Sequence, residues 1–185
     1  MGIVGDSLDR AAQAGFTRPI PKSAGAQVRY LVRQHKGSTK AVAALLGVAQ
    51  RTVERYVKDQ IKKPKQGLAE RLAAEVRRRW QPLVRKRARD KAAKQTGMVI
   101  ETRARFGFTA APGTSDDGRM RRITQHLAPE HAARLLAAQD AGAPETQLQK
   151  IAAEGLQEAY FKDGGNRAPG LLVEFTDIDY IEVNL

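Results

Sequence analysis

The sequence predicts an α+β protein: an N-terminal all-α helix-turn-helix domain with a long basic helix, followed by a small α+β domain with a short antiparallel sheet. Charge is the first observation behind this prediction. Residues 1–94 hold 23 Lys/Arg against 7 Asp/Glu, whereas residues 95–185 hold 9 against 13. The second is a change of apolar periodicity near Gly97, from helical spacing to alternation. We therefore expect one domain over residues 1–94 and another over residues 95–185.

The helix-turn-helix is predicted over residues 39–58. Ser38 or Thr39 can cap its first helix, because a side-chain oxygen there accepts from free backbone N–H groups. Gly47 supplies the backbone freedom that a tight turn needs. The apolar positions, spaced to pack two short helices together, are Val42, Ala43, Leu46, Val48, Val53 and Tyr56. This pattern makes DNA the expected partner, and a plain helical hairpin with a solvated charged face is the alternative.

The residues predicted to contact DNA belong to two sets. The outward face of the second helix can reach base edges, because Arg can read guanine, Gln can read adenine and Glu can accept from cytosine. Residues 77–94 hold nine Lys/Arg and one acid, Asp90, so this arm is expected to lie along phosphate. The predicted DNA-binding residues are Gln50, Arg51, Glu54, Arg55, Lys58, Lys62, Lys63, Arg77, Arg78, Arg79, Arg85, Lys86, Arg87 and Arg89.

The other elements follow from periodicity, caps and prolines. A short helix is expected over residues 6–15, an extended segment over 17–21, and a helix capped by Ser23 that runs to about Lys36. Pro82 is expected to kink or restart the amphipathic helix that precedes it. The remaining predicted elements are a helix over 66–80, a strand over 98–106, a weaker strand over 119–127, helices over 129–141 and 144–161, and a strand over 171–185 broken near 177–179.

Several classes of protein are excluded by composition. The chain has no Cys, which excludes disulfides and zinc fingers and favours a cytoplasmic location. No apolar run approaches a membrane span, and no signal-peptide core is present, so no membrane partner is expected. The three His residues lack the spacing of a metal site, and no metal ligand is predicted. No phosphate-binding loop or dinucleotide fingerprint is present.

A loop of about a dozen residues separates the two predicted strands of the C-terminal domain. It spans residues 107–118 and carries Thr114 and Ser115 beside Asp116 and Asp117. From the residues alone, these hydroxyls are expected to cap or solvate a surface turn. Whether the two aspartates contact a metal stays open.

Five runs of the chain carry a resemblance to a known family. They are residues 5–10, 16–23, 50–64, 79–82 and 175–178. Together they resemble the telomere terminal proteins of Streptomyces-type linear chromosomes and plasmids, over essentially the whole chain. The resemblance implies a protein that binds telomeric DNA, primes end-patching DNA synthesis through its own hydroxyl, and stays covalently linked to the 5′ end.

The resemblance also implies the site. The family's acceptor is the threonine of a Gly-Thr pair, which falls here on Thr114, with Ser115, Thr109 and Thr102 as fallbacks. The protein would then be a nucleotide-accepting primer and not an enzyme, with no cofactor of its own and Mg²⁺ supplied by a DNA polymerase. The implied partners are telomeric DNA, that polymerase and a telomere-associated protein, and the implied location is the nucleoid at replicon ends. Self-association stays open.

Two other functions remain compatible with the residues. One is a helix-turn-helix transcription regulator with a C-terminal dimerisation or ligand domain. The other is a nucleotidyltransferase or recombinase that uses Thr114 or Ser115 as nucleophile, activated by arginines. Those arginines would be Arg103, Arg105, Arg119, Arg121 and Arg122.

For a terminal protein, the net negative charge of residues 95–185 further predicts that this part of the chain docks in the polymerase's DNA cleft as a charge mimic.

Overall fold

A computed structural model of the chain describes residues 2–109, 120–165 and 171–185. The elements, in chain order, are α1 (Ile3–Ala14), α2 (Ala24–Gln34), α3 (Thr39–Leu46), α4 (Gln50–Val57), α5 (Gln66–Arg79), α6 (Pro82–Lys91), a π turn (Ala92–Thr96), β1 (Met98–Thr109), β2 (Met120–Leu127), α7 (Pro129–Asp140), α8 (Glu145–Leu156), a second π turn (Gln157–Phe161) and β3 (Leu172–Asn184). Helices together with a small antiparallel sheet confirm the predicted α+β class. Among the described residues, no helix is both long and apolar enough to cross a bilayer.

The chain divides differently from the boundary expected between residues 94 and 95. Residues 16–82 form one compact unit, here called the helical unit. Residues 1–15 and 83–185 together form the other, here called the sheet unit. The reason is tertiary packing: Leu8 of α1 is buried in the same apolar core as Phe106 of β1. Helices α1 and α6 therefore belong with the sheet.

The helical unit contains α2 to α5. Ser23 Oγ accepts from Ala26 N at 3.3 Å and so caps α2, as predicted. Helix α5 packs on α2 and α3, and all the helices of the unit contribute to one apolar core. Its most buried residues include Val28, Leu31, Val42, Leu46, Val53, Tyr56, Leu72 and Val76. The burial of one face of each helix provides most of the stability that such short helices need.

The long basic helix expected after residue 66 is divided in two. Helix α5 ends at Arg79, and α6 begins again at Pro82, where the ring of proline is favourable in the first turn of a helix. Between them, Gln81 adopts a left-handed backbone conformation with φ of 43°. Proline disfavours the helical region for the residue before it, which explains the interruption at this point.

Gln81 also connects the two ends of the helical unit. The backbone N–H and the hydroxyl of Thr17 each lie 3.1 Å from Gln81 Oε1. Gln81 Nε2 donates to the carbonyl of Arg18 at 3.1 Å, and the indole N–H of Trp80 donates to the same carbonyl at 3.1 Å. The first and last residues of this unit are thereby held together.

Within the described residues, the sheet has three antiparallel strands in the order β2-β1-β3. The alternation predicted for the first strand is confirmed, because Ile100 and Ala104 are buried while Arg103 and Arg105 are exposed. Helices α1 and α8 both pack against β3. The sheet consequently has one face on the core and one face that carries polar side chains.

Strand β3 runs without the break predicted near residues 177–179. In its place, the register between β1 and β3 shifts twice, so that Thr176 and Asp179 are extra residues in β3. Such bulges bend a strand without ending it. The outer edge of β3 is partly paired by side chains, because Val173 N and Val183 N donate to a glutamine carbonyl and a serine hydroxyl of other elements.

Candidate nucleic-acid interface

The turn between α3 and α4 is built as its sequence predicts. Ser38 Oγ accepts from Ala41 N at 3.1 Å and caps α3. Gly47 ends α3 with φ of 63° and ψ of 42°, a conformation that costs glycine little. Val53 and Tyr56 of α4 are buried in the core of the helical unit. Burial raises the pKa of the Tyr56 phenol, because apolar surroundings disfavour its charged form.

The end of α4 is fixed on α2. Arg29 of α2 donates to the Asp59 carboxylate at 2.6 Å and to the carbonyl of Val57 at 3.1 Å. A side chain at Gly25 would overlap the Asp59 carboxylate, so glycine permits this close approach. Asp59 itself adopts φ of 54°, a strained conformation for a residue with a side chain. Helix α4 is thus fixed at its C-terminal end by an ion pair and along its length by apolar packing.

The outward face of α4 carries the first set of residues predicted to bind DNA. Gln50, Arg51, Arg55 and Lys58 are exposed, and Glu54 is half-buried. Arg51 and Arg55 lie one helical turn apart, so that both guanidinium groups project from the same side of α4. Neither makes an ion pair within the described part of the chain.

Gln50 is held more firmly than an ordinary surface residue. Its Nε2 lies 3.1 Å from Thr39 Oγ1, at the start of α3, and 2.9 Å from Glu54 Oε1, on the next turn of α4. These contacts bring the N-termini of α3 and α4 side by side. They also give Glu54 a partner inside the helical unit.

The other predicted contacts of the helical unit lie in two places. Lys62 and Lys63 are exposed in the segment that follows α4. Arg77, Arg78 and Arg79 form the last turn of α5. Arg78 and Arg79 both pair with Glu75, and the Tyr30 hydroxyl of α2 donates to the carbonyl of Arg79 at 2.5 Å. The bond from Tyr30 places Arg79 beside α2.

Two predicted phosphate contacts of α6 have another role. Arg85 pairs with Asp9 of α1 at 2.9 Å, and its side chain is 17% exposed. Arg89 donates to the carbonyl of Leu136 at 3.0 Å and pairs with Asp140 at 2.6 Å, and its side chain is 13% exposed. Both guanidinium groups connect elements of the sheet unit, which corrects their assignment to a phosphate-binding arm.

Lys86 and Arg87 of the same helix remain exposed. Lys86 pairs with Asp90 at 2.6 Å, and the hydrogen bond from Lys86 lowers the pKa of that carboxyl. The basic stretch predicted as one arm is therefore heterogeneous, since two of its arginines are structural and two of its cations face solvent.

Two lysines absent from the prediction lie near the start of α3. Lys36 and Lys40 are exposed on either side of the Ser38 cap. No contact was predicted from the first helix, although the first helix of such a pair is expected to cross the DNA backbone. Basic residues next to a capped N-terminus were the signal that could have identified them.

The predicted nucleotide acceptor lies outside the described residues. This holds for Thr114 and Ser115 and for the neighbouring Asp116 and Asp117, all within residues 110–119, and the side chain of the fallback Thr109 is also undescribed. Thr102, the remaining fallback, is fully buried, and its hydroxyl donates to the carbonyl of Tyr180 at 2.8 Å. Because this hydroxyl cannot reach a polymerase, Thr102 is removed as a candidate acceptor.

The solvent face of the sheet holds a hydrogen-bonded trio. Glu101 Oε1 accepts from Arg122 Nη2 at 2.6 Å and from the Tyr180 hydroxyl at 2.8 Å. The bond from Arg122, followed by that from Tyr180, lowers the pKa of Glu101. The hydrogen bond that Tyr180 donates to Glu101 raises the pKa of the Tyr180 phenol, because it favours the protonated form.

Three of the arginines that a recombinase would need share the solvent face of the sheet, where Arg103 of β1 lies opposite Arg122 of β2 and Arg105 lies two residues along β1. Arg122 is engaged with Glu101, and Arg103 pairs with Asp179 at 2.9 Å. Arg121 lies over the Phe161 ring at 5.8 Å, on the opposite face of β2 from Arg122. Arg119 lies outside the described residues. Two of the three guanidinium groups on the solvent face are thus already paired with carboxylates of the sheet.

A cavity of about 920 Å³ opens in the sheet unit between α7, α8 and β3. Charged residues of both signs and apolar residues of β3 share its lining. They include His131, Arg134, Lys150, Glu154, Leu172 and Phe175. Arg134 and Glu154 pair across it at 2.5 Å.

The described residues include no group of His, Asp or Glu side chains that could hold a metal ion.

Comparisons of the chain with protein-family models, with curated proteins and with solved structures give no significant match.

Proposed function

We propose that the protein is a terminal protein of linear replicons, which binds telomeric DNA through a helix-turn-helix and serves as the primer of end-patching DNA synthesis. The observation that carries the DNA-binding part is the exposed Arg51 and Arg55 face of α4, packed on α3 across a glycine turn. The priming part is supported by the sequence resemblance and by Thr114 in the segment that connects β1 and β2.

DNA binding follows from the arrangement of the helices. Helix α4 would enter the major groove with its N-terminal half, and α3 would cross the backbone. Lys36 and Lys40 would then meet phosphate beside the start of α3. Residues 16–82 hold 16 Lys/Arg against 4 Asp/Glu, so association should release counterions.

The priming step is an in-line displacement at a deoxynucleotide. The Thr114 hydroxyl oxygen attacks the α-phosphorus, a new P–O bond forms, the bond between the α- and β-phosphates breaks, and pyrophosphate leaves. The hydroxyl proton passes to a base of the polymerase or to water. The polymerase supplies the catalytic groups and its Mg²⁺, so the protein is a substrate in this reaction and not an enzyme.

The priming proposal is tested by labelling. The full chain is incubated with a deoxynucleotide labelled at its α-phosphate and with a polymerase-containing extract of a host that carries linear replicons. The native protein should acquire a nuclease-resistant label. Thr114→Ala should abolish it, and Thr114→Ser should retain some.

Thr124→Ala is the matched control, because Thr124 is an exposed threonine of β2. It should be labelled like the native protein. Full labelling of Thr114→Ala would refute the acceptor assignment and leave Ser115 and Thr109 to be changed next.

The predicted partners belong to the same proposal. A telomere-associated protein would recruit the chain to the single-stranded 3′ overhang, and the polymerase would engage the residues around Thr114. Both contacts would place the protein on the nucleoid at replicon ends. Crosslinking in cells followed by sequencing should enrich terminal fragments, and an even distribution along the chromosome would contradict this location.

A transcription regulator is the second candidate, and the cavity in the sheet unit is the observation that favours it. Its 920 Å³ volume is within the range of small-ligand sites. A regulator would bind a palindromic operator as a dimer, with half-sites about one helical turn apart, and a ligand would change that affinity. Binding to internal palindromes together with no nucleotide labelling would favour this function over priming.

A further inference from the structure

The hydrogen bonds of Gln50 fix the orientation of its side-chain amide. A carboxylate only accepts hydrogen bonds, so the Gln50 atom that lies 2.9 Å from Glu54 Oε1 must be the amide nitrogen. The same nitrogen lies 3.1 Å from Thr39 Oγ1. An amide nitrogen has two hydrogens, and both are thereby committed inside the helical unit.

The committed nitrogen changes what α4 offers to a base. With its nitrogen engaged, Gln50 has its carbonyl oxygen left to offer, and the Glu54 carboxylate has a second oxygen besides Oε1. Both groups are acceptors. Arg51 and Arg55 occupy the adjacent positions of the helix and carry donors only. The exposed face of α4 thus has an acceptor stripe, Gln50 and Glu54, next to a donor stripe, Arg51 and Arg55.

We infer that the acceptor stripe selects cytosine and disfavours adenine, and that the donor stripe selects guanine. This inference rests on the proposed entry of α4 into the major groove. In the major groove cytosine itself offers only its N4 amino group, whereas adenine offers its N6 amino group together with its own N7 acceptor. Guanine offers O6 and N7, both acceptors, to an arginine.

Adenine is disfavoured at the position that Gln50 contacts, because its N7 acceptor needs a hydrogen-bond donor. A free glutamine reads adenine with two bonds, its oxygen accepting from N6 and its nitrogen donating to N7. Here the nitrogen could reach N7 only by leaving Glu54 or Thr39. The bond to the Glu54 carboxylate is charge-assisted and is among the stronger hydrogen bonds of a protein surface. Without that donor, the N7 lone pair would face oxygen atoms.

The experiment is a selection from a randomised duplex library with the full chain and its variants. The native protein should enrich cytosine at the position that Gln50 contacts, with guanine at neighbouring positions. Glu54→Met removes one of the two acceptors that hold the amide and keeps a helix-forming side chain. Gln50 can then read adenine with two bonds, so the preference at that position should move from cytosine toward adenine by about tenfold in relative affinity.

A second variant acts on the other contact. Thr39→Val removes the hydroxyl, keeps the side-chain shape and leaves the Ser38 cap in place. It should shift the same position toward adenine. Replacing that adenine by 7-deazaadenine should remove the gain in both variants, because the N7 acceptor is then missing.

Glu70→Met is the matched control. Glu70 accepts from Gln66 Nε2 at 3.1 Å on α5, which is the same pair at the same spacing with the same change in charge. It removes the same charge from another helix of the unit and should leave the base selected unchanged.

The outcomes separate this inference from the proposed function. Selection of adenine by the native protein, or retention of cytosine by both variants, would overturn the inference. Salt-dependent duplex binding without any base preference would also overturn it, and would leave DNA binding intact. The absence of any salt-dependent duplex binding would overturn both.

Discussion

The two units of the molecule contain the same number of Lys and Arg residues but differ in net charge. The helical unit, residues 16–82, has 16 Lys/Arg and 4 Asp/Glu, whereas the sheet unit has 16 of each. The whole net charge of +12 therefore belongs to the helical unit. Net charge is a property of a folded unit, and a count along the sequence attributes it wrongly when a unit is discontinuous.

The comparison removes the support for charge mimicry by the C-terminal half. Residues 95–185 are acidic as a stretch of sequence, but they fold together with residues 83–94, which hold six Lys/Arg against one Asp. The unit as a whole is neutral by count. Recognition by a polymerase would then depend on the segment around Thr114 and not on the overall charge of the unit.

The largest expected effect comes from Gly97→Ala. Gly97 has φ of 65° at the start of β1, and a Cβ there would overlap the carbonyl of Leu127. We expect a loss of about 3 kcal/mol or more in the free energy of unfolding of the sheet unit, from strain and overlap together. The chain's single tryptophan, Trp80, lies in the helical unit, so its fluorescence reports that unit while hydrogen exchange of β1 reports the other.

Gly142→Ala is the control, since Gly142 has φ of 72° and open space around it. Its cost should be about 1 kcal/mol, from the backbone alone. If Gly97→Ala lowers the urea midpoint of Trp80 as strongly as that of β1, the two units do not unfold separately and the comparison fails.

The next effect concerns duplex binding. Arg51→Ala and Arg55→Ala should each cost about 1 to 3 kcal/mol of binding free energy and relax base preference. Both side chains are exposed, so stability should change by less than about 0.5 kcal/mol. Titration of a fluorescent duplex at several salt concentrations measures the first quantity, and urea unfolding measures the second.

Arg10→Ala supplies the control, because Arg10 is an exposed arginine of the sheet unit. Its effect on duplex affinity should be small. A loss equal to that of Arg51→Ala would mean that cations of both units bind DNA alike.

A smaller effect is expected in α6, where the substitution should change the stability of the sheet unit. Arg89→Met removes hydrogen bonds to the carbonyl of Leu136 and to Asp140, and should cost about 2 kcal/mol of the free energy of unfolding of the sheet unit. Arg87→Met, on the exposed side of the same helix, should cost less than about 0.5 kcal/mol. Equal stability of the two variants, measured by hydrogen exchange of β1, would contradict a structural role for Arg89.

The smallest effect is a dependence on pH. Because its hydrogen bonds lower the pKa of Glu101 below its usual value of 4.5, Glu101 stabilises the folded sheet unit above that pH. This contribution should disappear as pH falls through the lowered value, when the carboxylate takes up a proton. Glu101→Gln should flatten the acid limb of the stability curve, and an unchanged limb would show that the bonds from Arg122 and Tyr180 contribute nothing measurable.

Local features of the fold were predictable from the sequence. The bounds of α3 and α4 follow from a serine cap, a turn glycine and apolar residues at helical spacing, all within about twenty residues of one another. The alternation of β1 is equally local. Even the bond between Gln50 and Glu54 could have been anticipated, because residues four apart on a helix face each other.

Tertiary features were not predictable in the same way. Arg89 and Asp140 are 51 residues apart in the chain, and no periodicity relates them. The membership of α1 in the sheet unit depends on Leu8 finding the core around Phe106, which is likewise a distant contact. A run of cations looks uniform in sequence, although folding buries some of its members and exposes others.

The bonds between Thr17 and Gln81 have a consequence for how the chain can be rearranged. They place the two ends of residues 16–82 within hydrogen-bonding distance, and a Cβ on Gly15 would lie 3.7 Å from Val84 in the sheet unit. In each unit, the residues next to the two boundaries, 15/16 and 82/83, thus lie close together, as in a guest domain inserted into a loop of a host domain. Removing the guest and joining residues 15 and 83 with about three glycines should leave a closed host, because the gap to be bridged is short. The helical unit could then be replaced as one piece while the chain of the sheet unit stays closed.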